Sequence, residues 1–591
     1  MSDKEEDDTV PLLRAKPVRL NYTKRYDQVS WHSADTDFEP DPSASSADER
    51  RKKKPKAVYS KRKKQKIAAL VAVVVIFLSV MIGLIYVYLK QSDEVVEISC
   101  GKVSGNKETL TVDGVEKDFY VYKGIPYAEP PIGQNRWKSP VKMPGSNCWK
   151  DILETKTFKN FCVGGFEKSF FGSEDCLYLD VYTPQAPLTE ELKPVVVLFN
   201  SEISSINLKS NVRLPSSEFV SEMEIVLVNV NFRRDLFGFF STKEMSNATG
   251  NYGNNGIADQ ILALNWVQKE IKKFGGNPQL VTIFSGTSGY TLLASPKAKD
   301  LFKKMFVFGA SPNFEATYQD AFIQNKNILR KCKSSNYSIL ISCLDKLSAR
   351  EIQEAFYSNH SNSRWELPHS DKQVQDVLLT IEPNFMPFPP NSLSKLNQSS
   401  NIPVMIGHTA QETGLLSETH PQNWNELRDS LSASLGKINS SLTDYVLQHL
   451  YLNQSGMKMS ADVLYQTITT DIRVLCPTTV LKKEMSQSPN HIFYQYVLES
   501  NNGAVVHGDN IKAIFAMGTT NPLYKAGHKL RLNLKQFIRY GQPVEFKWES
   551  NTVGIFNTKG EFRAPDQSYH SKQCDFFNQP KQNLLKFSWR N

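Results

Sequence analysis

The sequence has almost no net charge outside its first 66 residues. Those residues hold 17 Lys/Arg against 12 Asp/Glu, which accounts for +5 of the total net charge of +9. The remaining +4 is spread over 525 residues. The large part of the chain therefore lacks the concentrated basic surface that nucleic-acid binding requires, and we predict no nucleic-acid partner.

A second absence is charge between Ile67 and Leu89, an apolar run of 23 residues. At about 1.5 Å per helical residue, such a run crosses a hydrocarbon core of roughly 30 Å, so we predict a transmembrane helix over 67–89. A cleaved signal peptide is the alternative, but the run is too long, begins too far into the chain and lacks a small-residue cleavage site. Eleven basic residues within 50–66 precede the run. The positive-inside rule therefore places the N-terminus in the cytoplasm.

Cysteine is absent before residue 100, so every cysteine follows the predicted membrane segment. An even number of cysteines in an oxidising compartment favours disulfide bonds; the eight are Cys100, Cys148, Cys162, Cys176, Cys332, Cys343, Cys476 and Cys574. The same part of the chain holds candidate glycosylation sites at Asn247, Asn336, Asn359, Asn397, Asn439 and Asn453. Asn21 also begins a sequon, but it lies on the predicted cytoplasmic side and should stay unmodified. These patterns predict an extracellular C-terminal part at the plasma membrane.

The predicted organisation has four parts. They are a cytoplasmic tail with a basic juxtamembrane stretch (1–66), the transmembrane helix (67–89), a short stalk (90–97) and an extracellular domain (98–591). Residues 1–49 are rich in Asp, Glu, Ser and Pro, and such a segment cannot bury enough apolar surface to offset its ordering entropy. We therefore expect the tail to be disordered.

The tail contains one short motif of the acidic dileucine type. Asp8, Leu12 and Leu13 fit the pattern Asp/Glu-x-x-x-Leu-Leu, which resembles the signals that clathrin adaptors read. Two adjacent leucines can fill an apolar slot while the upstream carboxylate meets a basic patch. A pattern this short also arises by chance, so a clathrin adaptor is a candidate partner only.

The large domain has the rhythm of an α/β protein. The apolar runs Pro194–Phe199 and Glu224–Val230 are typical of buried strands. Apolar residues recur at helical spacing across Ala258–Phe274, and Leu280–Phe284 reads as the next strand. Strands alternating with helices predict a mainly parallel sheet with helices packed on its faces.

Short motifs in a fixed order across residues 98–580 resemble the type-B carboxylesterase family, which includes the cholinesterases. They are Gly124–Pro131 with Arg136-Trp137, Glu174–Leu179, Asn231–Arg233 with Phe237–Phe239, Gly253–Gly256 with Ala258–Gln260, Phe274–Pro278, Val281–Phe284, His507–Asp509 and Phe537–Gly541. Each motif is weak alone, but the ordered set is specific. The resemblance implies an α/β-hydrolase fold. It also implies disulfide bonds that pair Cys162 with Cys176, Cys332 with Cys343, and Cys476 with Cys574, and we expect the remaining Cys100 and Cys148 to pair with each other.

The resemblance places the three catalytic positions at Thr287, Glu412 and His507. The family carries its nucleophile in Gly-x-Ser-x-Gly on a strained turn between a strand and a helix, whereas this chain has Ser-Gly-Thr-Ser-Gly at 285–289. Thr287 thus replaces the nucleophile, and Ser288 lies one residue too late. We expect the Thr287 methyl group to fit poorly on a strained turn, and Ser288 to point away from the base. Another departure is Thr413, which follows the acid where the family usually has glycine.

The oxyanion site departs further from the family pattern. After Phe199 the family has His-Gly-Gly-Gly-Phe, whose glycine N–H groups stabilise the developing negative charge. This chain has Ser201, Glu202 and Ile203 in place of the three glycines. Losing a single oxyanion donor typically costs roughly 2.7–4 kcal/mol of transition-state stabilisation. We therefore predict an inactive carboxylesterase homologue that uses no cofactor and no metal.

Three functions remain open after these observations. Cholinesterase-like adhesion proteins of this family keep the fold without the catalytic serine, which favours a cell-surface recognition protein that binds an extracellular or cell-surface protein. The alternatives are a carboxylic-ester hydrolase that uses Thr287 or Ser288 with His507 and Glu412, and a pseudo-esterase that holds a small ligand. Because fold alone does not fix function, a test of hydrolysis is needed to separate these possibilities.

Overall fold

The computed structural model describes residues 61–91, 95–112, 114–166, 169–185, 190–199, 215–312, 316–328, 331–332, 334–358, 367, 379–389, 392, 401–414, 419–452, 459–486, 491–500, 503–517, 522–544, 552–566 and 569–579. The chain divides into two units, Met1–Val80 and Met81–Asn591. The boundary lies inside the first helix.

That first helix, α1, runs from Lys61 to Gln91 and contains the apolar run. Its large apolar side chains are exposed, with Leu70 at 65% and Ile82 at 66% of their maximal accessibility. Within the described residues, no helix combines the length and the apolar character needed to span a membrane. The transmembrane helix over 67–89 stays a prediction from the sequence.

The strands of the described chain are short and mostly buried. They are β1 (Val95–Ile98), β2 (Gly101–Ser104), β3 (Asn106–Val112), β4 (Val115–Pro126), β5 (Leu153–Glu154), β6 (Gly164–Phe166), β7 (Ser169–Phe171), β8 (Tyr178–Thr183), β9 (Lys193–Phe199), β10 (Val226–Val230), β11 (Gly276–Ser285), β12 (Lys304–Phe308), β13 (Val404–Thr409), β14 (Phe493–Glu499), β15 (Val553–Asn557) and β16 (Phe562–Asp566).

Eleven of these strands form one sheet in the order β16-β15-β14-β13-β12-β11-β9-β10-β8-β4-β3. The strands from β15 to β10 along this order run parallel to one another, and the strands at the two ends pair antiparallel. In the centre, Ile283 of β11 pairs with Val197 of β9 and with Met305 of β12. The large mixed sheet with a parallel centre confirms the α/β class.

Helices connect the strands. They are α2 (Ser217–Met223), α3 (Asp235–Phe239), α4 (Lys243–Thr249), α5 (Asn255–Glu270), α6 (Ser288–Ala294), α7 (Tyr318–Ile328), α8 (Tyr337–Leu344), α9 (Ala349–Ser358), α10 (Trp424–Ser434), α11 (Leu442–Tyr445), α12 (Ala461–Thr470), α13 (Cys476–Met485), α14 (Asp509–Phe515), α15 (Tyr524–Tyr540) and α16 (Ser571–Phe577).

Helices pack on both faces of the sheet because alternate strand residues point to opposite sides. Val197 of β9 faces a core that includes Leu264 of α5. The next residue, Leu198, faces a second core that includes Phe219 of α2 and Leu534 of α15. Runs with no polar alternation, such as β9, are therefore explained by burial on both sides.

All eight cysteines form disulfide bonds. The structure pairs Cys162 with Cys176, Cys332 with Cys343, and Cys476 with Cys574, as the family resemblance implied. Cys100 pairs with Cys148, and no cysteine is left free. The loop that Cys162 and Cys176 close contains the antiparallel β6–β7 hairpin.

Candidate functional site

Glu412 and His507 lie at the same edge of the central sheet. Glu412 follows β13 and His507 follows β14, and these neighbouring strands are parallel, so the segments after them meet at their carboxyl ends. The Nδ1 atom of His507 lies 2.5 Å from Oε1 of Glu412. The structure thus brings two of the three predicted catalytic positions together as a hydrogen-bonded base and acid.

The Glu412 carboxylate is completely buried and well satisfied. Its Oε2 atom accepts hydrogen bonds from the N–H of Thr409 at 2.6 Å and from the Thr409 hydroxyl at 2.8 Å. Burial raises the pKa of Glu412, but the hydrogen bond and charge of His507, the Thr409 N–H and the charge of His408 together lower it below the ordinary value. An ionised Glu412 can only accept, so the proton of this pair lies on His507 Nδ1.

Gly309, directly after β12, makes room for this pair. Its φ is +60°, in the left-handed region that favours glycine. A Cβ atom at this position would lie 2.6 Å from Oε1 of Glu412 and 3.3 Å from the His507 ring. Sequence reasoning missed both Gly309 and Thr409. The Thr-x-x-Glu spacing of Thr409 and Glu412 is a recognisable signal for the second of them, because in this pattern the Glu side chain commonly accepts from the backbone N–H of the Thr.

Neighbouring side chains also fix the loop that carries Glu412. The hydroxyl of Thr413 donates to the Gln466 carbonyl at 3.2 Å, and the Thr413 N–H donates to the Thr470 hydroxyl at 3.3 Å. Gln411 donates to the Thr467 hydroxyl at 3.0 Å. Thr413, which departs from the family pattern, is therefore buried and bonded to α12.

The nucleophile position has a different geometry from the one expected. Thr287 lies between β11 and α6 with φ −58° and ψ −33°, which are ordinary right-handed helical angles. The strained turn that presents the family's nucleophile is therefore absent at Thr287, and our expectation of strain there was wrong. The turn has relaxed into the first turn of the helix, where a β-branched residue fits without a backbone cost.

Ser288, the alternative nucleophile, is bonded within the core. Its hydroxyl accepts a hydrogen bond from Nε2 of Gln260 at 2.9 Å and lies 2.9 Å from the Ser285 hydroxyl. Gln260 and Ser285 are completely buried, and Ser288 is 8% exposed. Gln260 thus joins Ser288 to α5, and Ser285, which replaces the family's first glycine, joins it to β11. Sequence reasoning did not foresee these bonds.

Several predicted positions lie outside the described residues. These are the oxyanion positions Ser201, Glu202 and Ile203, the sorting residues Asp8, Leu12 and Leu13, and the sequon residues Asn359, Asn397 and Asn453. The other sequon asparagines, Asn247, Asn336 and Asn439, are exposed. Across the described ranges, no three His, Cys, Asp or Glu residues cluster in a way that could hold a metal ion.

The chain is similar in sequence to a protein family and to several known proteins. The Carboxylesterase family model matches residues 92–577. Neurotactin of Drosophila melanogaster is 30% identical over 417 residues, which cover 67% of this chain and 46% of that protein. The chain thus spans less than half the length of neurotactin.

Relatives named as enzymes match at similar levels. Para-nitrobenzyl esterase of Bacillus subtilis is 29% identical over 63% of this chain and 74% of its own length. Acetylcholinesterase of Danio rerio is 27% identical over 67% of this chain and 65% of its own length. With a family model that matches most of its length and a sheet of the expected class, the chain belongs to the carboxylesterase family.

Proposed function

We propose that this chain is a non-catalytic recognition protein of the cell surface, whose carboxylesterase-like domain binds an extracellular or cell-surface protein. The observation that carries the proposal is the turn after β11. Thr287 occupies a regular helical position there, and the hydroxyl of Ser288 is engaged by Gln260 and Ser285. The substitutions Ser201, Glu202 and Ile203 support it as well, because they remove the glycines of the oxyanion site.

Its relatives are compatible with either a catalytic or a non-catalytic role. The family contains proteins named esterases alongside neurotactin, so membership alone does not decide activity. The non-catalytic role is favoured by Thr287, which stands where the family's Gly-x-Ser-x-Gly pattern has serine. Binding a partner protein requires the folded surface of the domain, and that surface does not depend on the missing serine.

The proposal includes a type II arrangement in the plasma membrane. The apolar run 67–89, the basic stretch before it and the restriction of cysteines to the part after it all support a cytoplasmic N-terminus. In this arrangement Leu12 and Leu13 face clathrin adaptors in the cytoplasm. Antibody uptake is compared for cells that express the wild type or a Leu12→Ala/Leu13→Ala variant. Equal uptake would contradict a sorting role for the two leucines.

The second candidate is an ester hydrolase with an altered nucleophile. The intact pair of Glu412 and His507 favours it, since a base held by a buried carboxylate is what a hydroxyl nucleophile needs. Its candidate nucleophiles are the hydroxyls of Thr287 and Ser288, and Ser288 would first have to leave its hydrogen bonds to Gln260 and Ser285. The recognition role is the better supported of the two, because neither hydroxyl is presented on a strained turn.

The test uses the full chain expressed on cultured cells. Recognition predicts that these cells aggregate with each other or with cells that display the partner, and that a His507→Ala variant aggregates equally. Washed cells should hydrolyse short aryl esters no faster than cells expressing His507→Ala, and a fluorophosphonate probe should not label the chain. Ester turnover that His507→Ala abolishes would support the hydrolase instead.

A further inference from the structure

One exposed sequon begins a helix. Asn336 of the sequon Asn336-Tyr337-Ser338 is the N-cap of α8, with φ −89° and ψ 122°. Its Oδ1 atom accepts a hydrogen bond from the N–H of Ile339 at 3.2 Å, which satisfies one of the free donors of the first turn. N-glycosylation modifies the other branch of the amide, Nδ2. Capping and glycosylation therefore use different atoms of Asn336 and can coexist.

A shallow depression on the exposed face of α8 has its first lining residue, Ser338, two positions after this asparagine. Its volume is about 380 Å³, and it is lined by Ser338, Ile339, Ser342, Cys343 and Lys346. Ile339 is 62% exposed, whereas Leu340 of the same helix is completely buried. Single exposed apolar residues are ordinary. This one, however, is the residue whose N–H bonds Asn336 Oδ1, so the Nδ2 atom of the same planar amide lies within one helical turn of it.

We propose that Asn336 is N-glycosylated and that the first sugar of the glycan packs over Ile339 in this depression. The proposal rests on the extracellular placement proposed above. The apolar C–H face of an N-acetylglucosamine ring would cover the isoleucine, and the hydroxyls of Ser338 and Ser342 with the Lys346 amine would meet the polar edge of the sugar. The disulfide bond of Cys343 to Cys332 holds this face of α8 in place.

The modification needs a donor from the secretory pathway. Asn336 Nδ2 forms a bond to the anomeric carbon of a polyprenyl-diphosphate-linked oligosaccharide. The C–O bond between that carbon and the diphosphate breaks, and the diphosphate leaves with the electron pair. Nδ2 loses one proton, so the side chain becomes a secondary amide whose Oδ1 still accepts from Ile339.

Occupancy is tested on the full-length chain from secretory cells. Peptide-N-glycosidase converts each glycosylated asparagine to aspartate, so peptide mass spectrometry should find aspartate at position 336. Ser338→Ala should abolish this conversion while leaving the Asn336 cap intact, and Ser338→Thr, the matched control, should retain it. An unmodified Asn336 beside a modified Asn247 or Asn439 would overturn this proposal and leave the topology standing. Modification of Asn21 with the outer sequons bare would overturn the topology.

Packing is tested by stepwise removal of the glycan. Trimming to a single N-acetylglucosamine should leave the thermal midpoint unchanged, whereas complete removal should lower it by on the order of 1 °C. The aspartate that complete removal leaves is itself a good N-cap, so the cap does not contribute to the shift. The fall should vanish in Ser338→Ala and in Ile339→Ser but persist in Ile323→Ser, a control that is 71% exposed on α7. An equal fall in Ile339→Ser and the wild type would overturn the packing.

Discussion

Glu412 with His507 and the turn from Ser285 to Ser288 lie at the same edge of the central sheet, and they differ in what surrounds them. Every oxygen of Glu412 is bonded, to His507 and to Thr409, and Gly309 leaves space for the pair. At the turn, by contrast, the Ser288 hydroxyl forms its hydrogen bonds with Gln260 and Ser285 inside the core.

The comparison separates residues that buried hydrogen bonds make hard to replace from residues whose only role is in the reaction. A buried carboxylate with several donors is expensive to replace singly, because each donor would lose its partner. A nucleophile carries no comparable structural duty. The acid–base pair can therefore persist in a chain without hydrolase activity, and its presence is weak evidence for catalysis.

The largest expected effect comes from breaking the acid. Glu412→Ala should lower the free energy of unfolding by roughly 2–4 kcal/mol, because it leaves His507 Nδ1 and both Thr409 donors without an acceptor in the core. Chemical denaturation of the purified chain measures this. Glu354→Ala is the control, since Glu354 pairs with Arg350 at the surface and should cost well under 1 kcal/mol. Equal stability of the two variants would contradict a structural role for Glu412.

Gly309→Ala tests whether the pair of Glu412 and His507 needs the space that Gly309 leaves. The added methyl group would meet Glu412 Oε1 at 2.6 Å, in a left-handed backbone conformation. We expect a loss of about 2–3 kcal/mol from strain and overpacking together. Gly250→Ala is the matched control, because Gly250 has φ +67° but no atom within 4 Å of the added Cβ. The difference in unfolding free energy between the two variants measures the effect of the contact with Glu412. Equal losses would show that this contact does not matter for stability.

Ser288→Ala probes the turn. The substitution should lower the free energy of unfolding by about 1–2 kcal/mol, because the buried Nε2 of Gln260 loses its acceptor. Ser440→Ala, at an exposed position, should be neutral in the same thermal and chemical unfolding measurements. If Ser288→Ala were neutral too, the core role of the Ser288 hydroxyl would be lost.

The smallest effect is a pH dependence. The pKa of Glu412 is lowered from its ordinary value of 4.5, so its stabilising contribution is fully present above pH 4.5 and is lost as the pH falls through the folded-state pKa. The wild type should therefore lose more stability than Glu412→Gln between about pH 5 and pH 3. Parallel stability curves for the two proteins would show that Glu412 is not held ionised by its neighbours.

Sequence patterns located the strands of the sheet, but they located the ends of strands and helices less well. The apolar run at Leu280–Phe284 lies within β11, and Gly275 ends the preceding helical segment in the left-handed conformation that glycine favours. Glu224 was assigned to a strand, yet it is the left-handed C-cap of α2, because a hydrophobic run does not reveal where a preceding helix stops.

The contacts of the site could be predicted only in part. Glu412 and His507 were identified through the family resemblance, which implies their roles as acid and base. The bonds of Ser288 to Gln260 and the space at Gly309 depend on side chains that meet only after the strands and helices pack. Thr287 was expected to be strained because the family's turn was assumed, whereas its backbone has right-handed helical angles.

The central claim is that the pair survives without hydrolysis, and one measurement tests it most directly. Turnover of a short aryl ester is compared for the full-length wild type, His507→Ala and Thr287→Ser. We predict that all three equal the uncatalysed background, since Thr287→Ser restores a serine but neither the strained turn nor the glycines replaced by Ser201, Glu202 and Ile203. Turnover by the wild type that His507→Ala abolishes would contradict the account.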